Sequence, residues 1–298
     1  MVSLIRRSGR GAALMANVKF QKVEARGMNR RRKILLIIVS GVLVLAGVCL
    51  WGLMMEPALY APNYEARRLA PSLSHLFGTD NLGRDMFYRT VCGLSTSIQI
   101  GLLSALISSV IALLLGSLSA IFGGKVDQVV SFMVDLCMGV PHLILLILIS
   151  IAVGGGAAGV ITGVAVTHWP NLTRVIRAEV MQIRSAQYVQ IARKLGKSNW
   201  HIAAKHIVPH VFPQYLVGLI LLFPHAILHE AAITFLGYGL PLDTPAVGVI
   251  LAESMKHLAT GMWWLAFFPG IALLLMTQLF DIVGDYLKIL IDPHSARK

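Results

Sequence analysis

The sequence predicts an all-α integral membrane protein with six transmembrane helices, and three observations lead there. Apolar runs recur that are long enough to cross about 30 Å of hydrocarbon as helix, which takes roughly 20 residues. Of the 298 residues 56% are hydrophobic and 13% charged, against roughly 25% charged in a soluble domain. The net charge of +12 gathers in patches between the apolar runs, as the positive-inside rule requires, and this distribution argues against nucleic acid as the partner of the positive charge. Helices rather than strands follow from the length of the runs, because lipid leaves unpaired backbone groups unsatisfied and only helices or closed barrels avoid that cost.

Residues 1–33 carry ten basic residues against the single acid Glu24 and read as a cytoplasmic tail. The run from Ile34 to about Met55 exceeds a signal-peptide core and lacks a small-residue cleavage site, so it reads as a retained first span. Residues 56–94 balance four acids against four bases and contain Pro57, Pro62 and Pro71, which suits an extracytoplasmic segment. Spans follow at about 95–122 and 126–153, parted by the turn Gly123-Gly124-Lys125, and a fourth runs from about Ala157 to Trp169 or beyond after Gly154-Gly155-Gly156. Seven basic residues against Glu179 then place a loop at about 171–209 in the cytoplasm. A fifth span at about 211–236, a nearly neutral outer loop and a sixth span at about 262–290 complete one six-span membrane domain, 34–290. Residues 291–298 form a cytoplasmic C-terminal tail. Both termini are expected inside.

Cys49, Cys92 and Cys137 show neither a disulfide framework nor a zinc spacing. Within the cytoplasmic loop, Tyr188 to Leu195 reads as a short helix ended by Gly196, since glycine takes the left-handed conformation that closes a helix. Leu195-Gly196-Lys197-Ser198 has the end of a nucleotide-binding loop, but Ile191 stands where the leading glycine is required. Nucleotide binding is therefore not expected in this chain.

Ionisable groups inside spans are costly and default to functional hypotheses. His225 and His229, four residues apart, with Glu230 beside them, and Asp135 in the third span are the candidates for a polar pathway. A structural polar cluster competes with that reading, and a tight metal site is not expected because the order is not that of the zinc proteases. Outside the second span, Thr79 or Asp80 suits a helix cap, and Asp80, Arg84 and Asp85 suit either internal ties or a docking surface.

In order along the chain, His75-Leu76-Phe77-Gly78-Thr79-Asp80 with Gly83-Arg84-Asp85, Tyr188-Val189-Gln190-Ile191-Ala192-Arg193-Lys194-Leu195-Gly196 with His206-Ile207-Val208-Pro209, Glu230-Ala231-Ala232 with Phe235-Leu236-Gly237-Tyr238-Gly239, and Trp263-Trp264 with Phe268-Pro269-Gly270 and Gly284-Asp285 resemble the permease subunits of bacterial ABC importers for dipeptides, oligopeptides and nickel. The resemblance covers about residues 34–294. It implies a type I importer permease whose EAA loop, here Tyr188, Gln190, Ala192, Arg193, Leu195 and Gly196, couples to a separate ATPase. It also implies a second homologous permease subunit, two ATP-binding subunits that hold ATP and Mg, and an extracytoplasmic substrate-binding protein, with no enzymatic activity and no cofactor in this chain. Gln190 and Ile191 depart from the Glu-Ala-Ala pattern and remove a negative charge. Thr167-His168-Trp169, His225 and His229 are more similar to the nickel branch than to the peptide branch, which implies nickel or a metal chelate, or short peptides, as substrate. An ion-coupled secondary transporter and an intramembrane metal enzyme are the alternative classes.

Overall fold

The computed structural model describes residues 31–291, so most of the expected basic tail and the last seven residues lie outside the described residues. Within them the chain is almost entirely helical. It comprises α1 (Arg31–Met54), α2 (Met86–Phe122), α3 (Gly124–Gly139), α4 (His142–Ala152), α5 (Gly156–Ser185), α6 (Gln187–Lys194), α7 (Asn199–Ile202), α8 (Val208–Phe235), α9 (Val247–Met255) and α10 (Trp264–Ile291). Four continuous helical stretches are long and apolar enough to span a membrane, and a fifth is gained if α3 and α4, bent by 99° at their junction, count as one. Helix α5 is also long, at 30 residues, but Arg174, Arg177, Glu179 and Arg184 make its second half polar.

Helix α2 is the axis of the bundle. It begins at Met86, ahead of the Ser95 expected from hydropathy, because Asp85 caps it: the carboxylate accepts from Phe87 N at 2.8 Å and Tyr88 N at 3.3 Å. At about 1.5 Å per residue its 37 residues exceed the hydrocarbon thickness. Along the buried face run small residues, Ser97, Gly101, Ser104, Ser108, Ala112 and Gly116. Without a hydrophobic drive between helices in lipid, close backbone approach at such residues holds membrane helices together. A side chain at Gly116 would stand 2.9 Å from Thr173 O on α5, and one at Gly101 2.5 Å from Ile227 on α8. Helices α5 and α8 therefore pack against α2, with Val160, Val164, Ile176 and Val180 filling one side. Helix α1 is the least buried span, with 17% of its apolar window covered against 44% for α2. It sits on the outside of the bundle and touches α2 where Ser95 Oγ donates to Cys49 O at 2.8 Å.

The third span is the main departure from the expected pattern. Val140-Pro141 breaks it, since a proline lacks the amide that helix continuation needs and pushes the preceding residue to extended backbone; Val140 has φ −98° and ψ 138°. The fifth span departs differently: its helix starts well before Pro209. A π-turn at Ala203–Ile207 joins α7 to α8, with Val208 N donating to Ala203 O, and shifts the hydrogen-bond register just ahead of the proline. Trp200–Phe235 is thus one 36-residue stretch.

At the capped end of α2, the segment before it folds over α9 and α10. Phe77 stacks on Phe268 with centroids 4.6 Å apart, and Trp264 Nε1 donates to Thr79 O at 3.3 Å. Gly78 and Gly83 hold φ of +70° and +76° in this turn, and a side chain at Gly83 would strike Asn63 O at 1.7 Å.

Candidate functional site

Two regions carry the chemistry. The first is a cavity of about 570 Å³ between the α3–α4 break, α5 and α8, lined among others by Cys137, Met138, His142, His168, Asn171 and His229. His142 is the first residue of α4, so the break at Pro141 places it. His168 lies on α5 two residues before Pro170 and His229 on α8 five residues beyond Pro224. The three imidazoles meet nearly edge to face: centroids are 4.6 Å apart for His142 and His168, 4.5 Å for His142 and His229, and 4.9 Å for His168 and His229. His168 Nδ1–H donates to Val164 O at 2.9 Å, and His229 Nδ1–H donates to His225 O at 2.7 Å. His168 Nε2 comes within 3.4 Å of His229 Nδ1.

Of the residues singled out from sequence, His225 and His229 both line this cavity. Glu230 does not, because one further residue turns it about 100° around a helix; it is fully buried, and its Oε1 accepts from Thr234 Oγ1 at 3.0 Å. Asp135 lies on the surface of the chain with 68% of its side chain exposed, and Arg174 Nη2 donates to it at 2.8 Å. Asp135, a pathway candidate by its place in the third span, thus does not line this cavity, since periodicity alone does not tell which face of α3 meets neighbours. His142 went unread in the sequence, although Pro141 immediately before it was the available signal.

The second region is α6. Val189 is fully buried and Ala192 half-buried against the core, which fixes the helix to the bundle. Tyr188, Ile191 and Leu195 point outward at 43%, 57% and 73% exposure, and Gln190 and Arg193 are exposed between them. Gly196 closes the helix at φ +76° with open space around its α-carbon. The Tyr188 ring lies 5.7 Å from that of His206, tying α6 to the π-turn.

Asp80, Arg84 and Asp85 form internal ties. Asp80 Oδ2 accepts from Arg84 Nε at 2.6 Å, Arg84 Nη2 donates to Glu253 Oε2 at 2.9 Å, and Asp85 pairs with His75 Nδ1 at 2.8 Å while capping α2. Thr79 is not the cap; its hydroxyl donates to Ala66 O and accepts from Leu69 N.

A bundle of apolar helices with a histidine-lined cavity beside a broken span and a short amphipathic helix at its surface is the architecture of a helical membrane protein. Solved structures agree at the level of fold: the inward-facing MetNI methionine ABC transporter superposes with a TM-score of 0.58 at 19% identity, over 70% of this chain and 98% of that one, and an amino acid ABC transporter with a TM-score of 0.51 at 16% identity, over 70% and 94%. A family model described as binding-protein-dependent transport system inner membrane component matches residues 112–293, and the chain belongs to that family. Among similar proteins, the oligopeptide transport system permease OppC of Bacillus subtilis is 31% identical over 93% of this chain and 94% of its own length. The dipeptide transport system permease DppC of the same organism is 32% identical over 78% and 72%. The nickel transport system permease NikC of Escherichia coli is 31% identical over 88% and 94%.

Proposed function

We propose that this chain forms half of the translocation path of an ATP-driven importer and that α6 passes the motion of a separate ATPase to it. The observation that carries the reading is the two-sided character of α6, anchored by Val189 and Ala192 and presenting Tyr188, Ile191 and Leu195 to solvent. An apolar side chain left in water forgoes about 1.5–3 kcal/mol of burial, so such a face on a basic loop suits a protein groove. Shape and apolar contact carry the coupling, since Gln190 supplies no charge. ATP binding that closes an ATPase dimer would move α6, and through the π-turn and α5 would tilt the spans around the cavity; the shift is driven by the differential binding of ATP to the two states.

On this reading six spans, counting α3 with α4 and the apolar half of α5, cross a bacterial inner membrane with both termini cytoplasmic. A second permease subunit completes the path, two partner subunits bind ATP and Mg, and an extracytoplasmic binding protein delivers substrate, either short peptides or nickel as the names of the relatives suggest. Co-expression with the ATPase subunits of the same transport system tests it. Ile191→Asp combined with Leu195→Asp is expected to release the ATPase from the purified complex while the permease keeps its melting temperature. Undiminished co-purification and undiminished ATP-dependent uptake would overturn the reading.

A further inference from the structure

We propose that His142, His168 and His229 form an exchangeable site for a divalent first-row transition metal ion as cargo. This rests on the permease reading, because the triad lies in the cavity assigned to the path. One ring nitrogen of each histidine lies within 4.8 Å of those of the other two, so some point is within about 2.8 Å of all three, and advances of less than about 1 Å reach the roughly 2.1 Å of a nitrogen–metal bond. Each imidazole comes from a different helix, α4, α5 or α8, so the triad is assembled by the packing of three helices, with the break at Pro141 setting His142, rather than by one helix face.

The hydrogen bonds orient the donors. With Nδ1–H of His168 given to Val164 O and Nδ1–H of His229 given to His225 O, each Nε2 carries the lone pair a ligand would take, that of His168 lying 3.4 Å from His229 Nδ1; backbone carbonyls hold metal-binding histidines in this way. His142 Nε2 is buried and has no hydrogen-bond partner among the described residues. The cavity lining contains no carboxylate, lysine or arginine, and it adds Cys137 and Met138 to the histidines. Imidazole and sulfur suit nickel, copper and zinc, whereas magnesium and calcium want oxygen. Three protein ligands facing an open cavity leave a position for exchange, which lets a path release what it holds.

The test uses the full chain purified with its partner subunits on a histidine-free affinity tag, stripped with chelator, and dialysed to equilibrium against nickel(II) chloride. Wild type is expected to bind nickel, with His142→Ala, His168→Ala and His229→Ala each weakening binding by at least about tenfold, the lower range for loss of a mere supporting contact; His257→Ala should bind as wild type. Cobalt(II) substituted into wild type should show visible d–d absorption that the three single alanine variants lose, a readout taken on samples of unchanged melting temperature. Wild-type binding no stronger than that of the triple alanine variant would overturn the proposal and leave the triad as edge-to-face ring packing. If the ATPase still co-purifies and still releases on Ile191→Asp with Leu195→Asp, that failure belongs to the metal site and the permease reading stands; loss of ATPase association in wild type is the separate failure of the permease reading.

Discussion

Arg89 holds two carboxylates at once, Asp80 at 3.4 Å and Glu253 at 2.6 Å, with only 5% of its side chain exposed. Arg84 shares both acids, so two cations and two anions from three stretches of chain close the capped end of α2 over α9. Removing one member leaves a buried charge without its partner, which in a fully buried pair costs about 3–5 kcal/mol. Because 25% of the Glu253 side chain is exposed, Glu253→Gln is expected to cost about 2 kcal/mol at this site by the same argument, read as a lowered melting temperature in detergent. Asp80, Arg84 and Asp85 were legible as polar residues at a helix start, but Glu253, 169 positions beyond Arg84, was not, since no local spacing links them. The same limit governs the histidines. The spacing of His225 and His229 was legible, whereas His142 and His168 join His229 only through the packing of α4 and α5 on α8.

At the scale of elements, glycine and proline positions decide the geometry. At Gly116 an added methyl group meets the α5 backbone at 2.9 Å, so the neighbouring helix rather than a flexible side chain has to move. Gly116→Ala is therefore expected to destabilise the bundle by about 1–3 kcal/mol, as overpacking does, and Gly116→Leu to prevent recovery of monodisperse protein. Gly196 differs: nothing surrounds it, and its left-handed backbone at φ +76° is the only constraint. Gly196→Ala should cost about 1 kcal/mol and reduce uptake through fraying of α6, with little change in the amount of folded protein; uptake and melting curves on the same preparation separate the two effects. Helix α6 and its end at Gly196 were readable because capping chemistry is local. The 99° break was only half readable, because Pro141 announces an interruption while the direction of α4 is set by packing on α5, where a side chain at Gly159 would meet Ser150 O at 2.7 Å.

For the whole molecule, the charge pattern makes a topological claim that a labelling experiment decides. In a background lacking Cys49, Cys92 and Cys137, a single cysteine from Gln190→Cys should react with a membrane-impermeant thiol reagent only from the cytoplasmic side, and one from Asn81→Cys only from the opposite side. Labelling of both from one side would refute the orientation. Membership of the transport family agrees with the membrane architecture that hydropathy indicates, and the number of apolar spans visible in the structure depends on how α3, α4 and α5 are counted.

By itself the sequence determined that this is a helical membrane protein, roughly where its apolar runs lie and where its amphipathic loop helix begins and ends. Those properties follow from burial cost, charge placement and capping, which act over one helix length. The tertiary structure alone decided which faces meet: it turned Asp135 outward, paired Arg89 with Glu253 and gathered His142, His168 and His229 around one cavity. The reason is physical, since in lipid one apolar helix face is as soluble as another. The choice between faces falls to close contact at small residues and to the bends that prolines impose.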